Sequence, residues 1–370
     1  MSKYFKASEY YPDDKDIYDF LDSQTRTTDQ MLLYLRTRGI FGAKKAPKEC
    51  LQKYVSLLNF DWSSAVRLVN MIDLREMEDK LTHVKVEMIT NTSQITEVLR
   101  KVQIARHQPY REVFKTKTEG DAVVVSVNFV DVDTSKSRVL QKREKDLEIR
   151  ISPTDTEINI TSTDSSRAKE IVQNVLDALK VANATTDIHE TKIDLSPIRD
   201  HKLRLKFFIK MMREMPGMVL LDVSNVKVDR VPPIQQDEEN ESANAEAEKP
   251  VQEQLRRAVL MGEQLLITRE FQELASRGFF ISSANWISEK NDGRGVQVEF
   301  SAGFSDSSDA KEFSYKVMGE YSRDDDGVVQ AQRKKVFGSD RLAYQDALEK
   351  SAFAALSAIK GEANLNVTLS

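Results

Sequence analysis

Apolar residues change their spacing along the chain, and the changes outline its organisation. Over residues 1–80 they recur at helical intervals: Ile17, Phe20 and Leu21, then positions 31, 35, 51, 54, 55 and 58, then Val66, Val69 and Ile72. Steps of three and four put such residues on one helix face, so this part is expected to be a small bundle of short helices. From Thr82 the period shortens. Val84, Val86 and Met88 alternate with polar residues, as do Val123, Val125, Val127 and Phe129, then Leu147, Ile149 and Ile151, then Ile158 and Ile160. Alternation of this kind, rich in β-branched side chains, predicts half-buried antiparallel strands.

Helices frame these strands. Residues 92–106 read as an amphipathic helix, and a second follows Asp164 or Ser165 as N-cap, with Ile171, Val172, Val175, Leu176 and Leu179 as its buried stripe. The C-terminal part repeats this texture. A helix around Thr268–Ser276 precedes strands centred on Trp286, Val298, Tyr315 and Val329, and a long helix runs from a Ser339–Asp340 cap to Gly361. The order helix, antiparallel strands, helix thus occurs twice, which suggests a structural duplication. The expected class is α+β: a helical domain over 1–80, an α+β domain over 81–232 and a second over 255–370.

Between the last two lies a stretch of different character. Residues 233–254 hold Asp237, Glu238, Glu239, Glu241, Glu246, Glu248 and Glu253 against Lys249 alone, with no apolar period, and read as a solvated linker or insertion. The net charge of −5 therefore reports this segment, and net charge by itself selects no partner. No apolar run approaches the roughly 18–20 residues that a spanning helix needs, and the first residues do not form a signal peptide. With Cys50 as the single cysteine, these features point to a cytoplasmic protein without internal disulfides or membrane contact.

Two basic elements stand out as candidate chemistry. The first runs from Met31 through Leu35, Arg36, Arg38-Gly39-Ile40, Lys44-Lys45 and Lys48 to Leu51. It resembles the SAP motif, a helix-extended-helix element that binds DNA. Met31 and Leu35 match its first helix, Arg38-Gly39-Ile40 the end of that helix, and Leu51 its second helix. The connection after Gly39 is a few residues longer than in the usual motif. Gly39 is expected to end the first helix in a left-handed conformation. The lysines beyond it then project from the connection and the next N-terminus, where phosphate is favoured. From Gln24 to Leu58 seven cations, Arg26, Arg36, Arg38, Lys44, Lys45, Lys48 and Lys53, face only Asp29 and Glu49. Without a ligand, the same segment reads as a helical hairpin packed on the rest of the protein.

The second element is a ridge. In a helix expected over Ser196–Met215, with Pro197 in its first turn, Arg199, Lys202, Lys206, Lys210 and Arg213 fall within about a quarter of the circumference. Leu205, Phe208, Ile209, Met212 and Met215 form the opposite, apolar side. Only Asp200 and Glu214 supply acid nearby. Unpaired like charges in a row suit a polyanion, although a solvated face of a core helix has the same pattern.

Other features carry less. Lys136, Arg138, Lys142, Arg143, Lys145 and Arg150 are interleaved with Glu144, Asp146 and Glu148, which favours cross-strand ion pairs. Arg333-Lys334-Lys335 faintly resembles the basic start of the last helix in double-stranded-RNA-binding domains. His83, His107, His189 and His201 lack neighbouring cysteines, so no zinc site is readable. Gly293-Arg294-Gly295 reads as a turn and Asp324–Gly327 as a hairpin tip, while Cys50 reads as packed. Glu190-Thr191-Lys192 beside Asp187 is the nearest approach to a Mg²⁺-dependent nuclease triplet.

These readings converge on a non-catalytic nucleic-acid-binding protein, DNA ahead of RNA, acting as a subunit or accessory factor. Arg36, Arg38, Lys44, Lys45, Lys48, Arg199, Lys202, Lys206, Lys210 and Arg213 are the expected phosphate contacts, with no catalytic residue, metal or small-molecule cofactor. A protein-interaction adaptor with a partner subunit, and a nuclease, stand as alternatives.

Overall fold

A computed structural model describes residues 12–22, 28–72, 80–110, 112–135, 141–183, 189–230, 257–261, 273, 276–293, 295–323, 328–330 and 332–368. The fold is α+β. Its contacts divide the chain into two compact units, each assembled from separate stretches: Met1–Met77 with Asn91–Ile149 and Gln173–Ala184, and Glu78–Thr90 with Arg150–Val172 and Thr185–Ser370.

The first unit opens with four short helices, α1 (Asp14–Asp22), α2 (Thr28–Thr37), α3 (Lys48–Ser56) and α4 (Trp62–Ile72). They bury Ile17, Phe20 and Leu21 of α1, Met31, Leu32, Tyr34 and Leu35 of α2, Leu51 and Val55 of α3, and Ala65, Leu68 and Ile72 of α4. The expected stripe on α4 is rotated: Ala65 and Leu68 face inward while Val66 is exposed. Helix α5 (Thr92–Tyr110) then precedes strands β2 (Val113–Glu119), β3 (Ala122–Val132) and β4 (Lys142–Pro153). β2 and β3 form a tight hairpin, Glu119 opposite Ala122, in which Gly120 takes a φ of 60°. Where α5 gives way to β2, buried Arg106 forms two hydrogen bonds with buried Glu112, at 2.6 and 2.9 Å. Each group satisfies the charge of the other, without which either would be costly to bury.

Helix α6 (Ser166–Ala182) begins as expected, with the Ser165 hydroxyl accepting from the Ala168 amide at 3.1 Å, and it buries Ile171, Val172, Val175, Leu176 and Leu179. Strand β4 and helix α6 each contribute to both units.

The second unit is built on an antiparallel sheet. Its strands are β1 (Leu81–Val86), β5 (Ile158–Thr163), β6 (Glu190–Lys192), β7 (Met218–Arg230), β8 (Arg257–Met261), β9 (Phe279–Lys290), β10 (Gln297–Asp306) and β11 (Lys311–Tyr321). They lie in the order β5-β1-β11-β10-β9-β7-β8, with β6 also on β1. Helices α7 (His201–Arg213) and α8 (Gly338–Thr368) supply Phe207, Phe208, Met211, Met212, Leu348, Ala352, Ala355, Leu356 and Ile359 to a core shared with Trp286, Phe300, Phe304, Phe313 and Tyr315. The Ser351 hydroxyl donates to the Met211 carbonyl at 2.5 Å, tying the two helices. Small residues on α8 permit that approach.

Several expectations are corrected. β7 and β8 pair with each other, from Asp229 opposite Arg257 to Asn225 opposite Met261. The acidic stretch thus leaves and re-enters neighbouring strands of a single sheet. Of the two readings left open, linker or insertion, this pairing fits the insertion; the residues of the stretch lie outside those described. α8 does not stop at Gly361 but continues to Thr368, and Ala363 beyond the glycine still packs on the core. Val329 makes an isolated bridge with Arg323 where a strand was expected. The helix expected near Thr268–Ser276 and the tip at Asp324–Gly327 fall outside the described residues, apart from Glu273 and Ser276. The turn through Gly293 and Gly295 joins β9 to β10 as anticipated.

The end of α2 can be tested by substitution. Gly39 has a φ of 73°, and a Cβ there would meet nothing within 4 Å. Gly39→Ala is therefore expected to cost about 1 kcal/mol through backbone conformation alone. A urea or thermal unfolding comparison that finds no loss contradicts the assignment.

Candidate nucleic-acid interface

The basic segment between α2 and α3 is shaped by how α2 ends. The Ile40 amide donates to the Leu35 carbonyl at 2.9 Å and the Gly39 amide to the Arg36 carbonyl at 3.0 Å. With Gly39 left-handed, as expected from the sequence, this is a Schellman termination. Ile40 and Ala46 turn inward against the bundle core. Between them the backbone lies tight on the helices: a Cβ on Gly42 would sit 2.8 Å from Leu32 Cδ2. The chain next makes a turn closed by the Ala46 amide on the Ala43 carbonyl at 3.0 Å, with Lys44 and Lys45 at its centre. Both lysines are exposed, and Phe41 is 84% exposed.

The cations of this segment are not equivalent. Among the described residues, Arg36, Lys44 and Lys45 are exposed and have no carboxylate within ion-pair distance. Arg38 has a structural role instead. Both of its terminal nitrogens donate to the Asn59 carbonyl at 3.0 Å, one also reaches the Tyr34 hydroxyl at 3.3 Å, and the guanidinium lies 5.7 Å from the Phe60 ring centre. It ties the end of α2 to the chain leading into α4. Lys48 is half-buried in the first turn of α3, whose N-cap, Pro47, offers no side-chain acceptor. The positive character is local, since α1 carries Asp14, Asp16, Asp19 and Asp22. Cys50, expected to pack, is exposed, as is Tyr54.

The ridge in the second unit departs further from expectation. α7 begins at His201, with Asp200 as N-cap accepting from the Lys202 amide at 2.8 Å. Pro197 and Arg199 therefore precede the helix, and Arg199 is not part of the row. Lys206 is held by both carboxylate oxygens of Glu362 on α8, at 2.6 and 2.8 Å, and Lys210 by Glu214, at 2.6 and 2.8 Å. Lys202 and Arg213 stay exposed without an ion pair among the described residues. The inward face is also turned from the expected one, with Leu203, Phe207 and Met211 buried and Leu205 and Ile209 only half-buried.

A further cation of α7 points into the protein. Arg204 is fully buried, stacks 4.7 Å above Phe280, and donates to the carbonyls of Ile198, Ser308 and Asp309 at 2.7, 3.2 and 3.3 Å. These carbonyls belong to the approach to α7 and to the β10–β11 turn. That turn ends in left-handed backbone at Ala310 and Glu312, which costs non-glycine residues of order 1–2 kcal/mol each. Arg204 is a clamp that holds this turn in place. The ten expected contacts thus divide into Arg36, Lys44, Lys45, Lys202 and Arg213, which are open, Arg38, Lys206 and Lys210, which are engaged internally, Lys48, which is half-buried, and Arg199, which precedes the helix.

The remaining candidates follow similar lines. Lys145 pairs with Asp131 across β4 and β3 at 2.6 Å, the cross-strand pairing expected there; Lys136 and Arg138 lie outside the described residues. Arg333 pairs with Glu299 at 2.5 Å. On β6, Lys192 occupies the Glu190 carboxylate at 2.8 Å, and Asp187 lies outside the described residues. Among the described residues, no group of three or more His, Cys, Asp or Glu side chains could hold a metal ion. No helix there is long and apolar enough to cross a membrane.

One buried polar network has no local signal in the chain. His83 on β1 places Nδ1 2.9 Å from Glu349 of α8 and 2.9 Å from the Thr161 hydroxyl, with Nε2 3.3 Å from Asn159. The Tyr315 and Thr161 hydroxyls both donate to Glu349, and Phe353 packs edge-on to the imidazole. Burial opposes the charged form of Glu349, but the hydrogen bonds and charge of His83, with those from Tyr315 and Thr161, hold its carboxyl below the usual range. Burial, and then the Glu349 charge, push the Tyr315 phenol well up.

A carboxyl depressed in the native state stabilises the fold above its unfolded pKa, and that contribution disappears as pH falls through the native value. Urea midpoints followed from about pH 7 down through the carboxylate range should therefore fall, and more steeply for the native protein than for Glu349→Gln. Glu349→Ala is expected to cost about 3 kcal/mol, because it leaves the Tyr315 and His83 polar groups buried without their acceptor. Identical pH profiles for the native protein and Glu349→Gln would remove the network from the account.

Compared with known protein families and with curated proteins, the sequence matches no family model and no curated relative.

Proposed function

We propose that this is a non-catalytic nucleic-acid-binding protein that grips the phosphate backbone through the α2–α3 connection. The observation that carries the reading is the set of exposed cations Arg36, Lys44 and Lys45, which lack an internal counter-charge among the described residues. Arg36 sits in the last turn of α2, and Lys44 and Lys45 on the turn that follows left-handed Gly39. Two lysines of α7 are, by contrast, paired, Lys206 with Glu362 and Lys210 with Glu214. An unpaired set on a braced turn is what a polyanion would neutralise from outside. The resemblance to the SAP motif supports DNA ahead of RNA. Lys202 and Arg213 are secondary contacts in this reading, and Lys206 and Lys210 are withdrawn from it.

Contacts of this kind read backbone and little base sequence. Three phosphate contacts predict that log affinity falls with log salt at a slope of about −2 to −3. Combined charge reversal at Arg36, Lys44 and Lys45 should weaken binding at low salt by at least about tenfold. The fold should survive, since all three side chains are exposed. Anisotropy titrations on a labelled oligonucleotide measure both quantities. Affinity independent of salt, or unaffected by the triple reversal, contradicts the assignment.

A further inference from the structure

Phosphate contacts do not account for Phe41. Its side chain stands 84% exposed in the middle of the basic connection, although burying a phenylalanine is worth about 1.5–3 kcal/mol. The exposure is built into the turn. Ile40 on one side and Ala46 on the other pack inward, and at Gly42 the backbone passes so close to Leu32 that a Cβ would lie 2.8 Å from its Cδ2. The backbone is thereby pinned on both sides of Phe41, and the ring is directed to water. Lys44 and Lys45 follow within three and four residues, at most about 14 Å along the chain, and Arg36 lies on the turn of α2 just before. On α3, Tyr54 is also exposed, at 49%.

From this arrangement we infer that the α2–α3 connection binds single-stranded nucleic acid, with a base stacked on Phe41 while Arg36, Lys44 and Lys45 hold the neighbouring phosphates. The inference rests on the nucleic-acid reading above and narrows its substrate class. A ring presented among cations matches a strand whose bases are free to stack. Every base has a π-face, so the contact tolerates sequence. A closed duplex offers the three cations its phosphates but leaves Phe41 without a partner.

The test uses the full-length protein with a fluorescein-labelled oligothymidylate of about 16 nucleotides and with the same strand annealed to its complement. The native protein should prefer the single strand. Phe41→Ala should weaken single-strand binding about tenfold while leaving duplex binding and the unfolding midpoint unchanged. Phe41→Trp should retain binding, and its emission, taken as the difference from the native protein with its two tryptophans, should be quenched by the oligonucleotide. Single-strand affinity unchanged in Phe41→Ala, or duplex bound more tightly than single strand, overturns the inference and leaves the phosphate-binding reading standing. Failure of the native protein to bind either form overturns both. Self-association abolished by Phe41→Ala, together with no nucleic-acid binding, assigns the ring to a protein contact instead.

Discussion

The left-handed backbone at Gly39 determines what the α2–α3 connection can present. It stops α2 through two backbone hydrogen bonds, at 2.9 and 3.0 Å, and sends the chain back across the helix it has just left. At Gly42 the connection then passes close to Leu32, where a Cβ would lie 2.8 Å from Cδ2. With the backbone fixed at both points, the side chains between and after them have little choice of direction. Phe41, Lys44 and Lys45 face water while Ile40 and Ala46 pack against the core. A preorganised turn of this kind loses less entropy on binding than a flexible basic loop would. What the site presents thus follows from where α2 stops.

Much of the fold could be read from local signals. The Gly39 stop and the Ser165 cap are short-range features, and both occur where the residues indicate. So do β1, β3, β4, β5, β9, β10 and β11. β7 was not legible, because register shifts near Leu220, Val223 and Lys227 break its period of two. Gly361 misled as a stop signal, since packing of Ile359 and Ala363 outweighs the roughly 1 kcal/mol that an interior helix glycine costs. Whether the acidic stretch is a linker or an insertion was not legible, for another reason. Composition shows that a segment is solvated, but only strand pairing shows that its two ends are neighbours.

The candidate site was legible to the extent that its determinants are local. Basic residue types and helical spacing located both elements, but whether a cation is free depends on carboxylates far away in sequence. Lys206 meets Glu362 and His83 meets Glu349, pairings that no spacing rule reaches. Arg204 sits in the same helix as the ridge, yet it is buried against carbonyls more than a hundred residues away in sequence. Phe41 was overlooked because a lone aromatic residue in a basic loop looks like core until its neighbours are seen to have taken the inward positions.

Ultraviolet crosslinking followed by peptide mass spectrometry tests the central claim most directly. The probe is a single-stranded oligonucleotide carrying photoreactive bases, bound to the full-length protein. A base stacked on the ring should give its principal adduct on Phe41, within the peptide linking α2 to α3. Adducts confined to other parts of the chain would contradict the account.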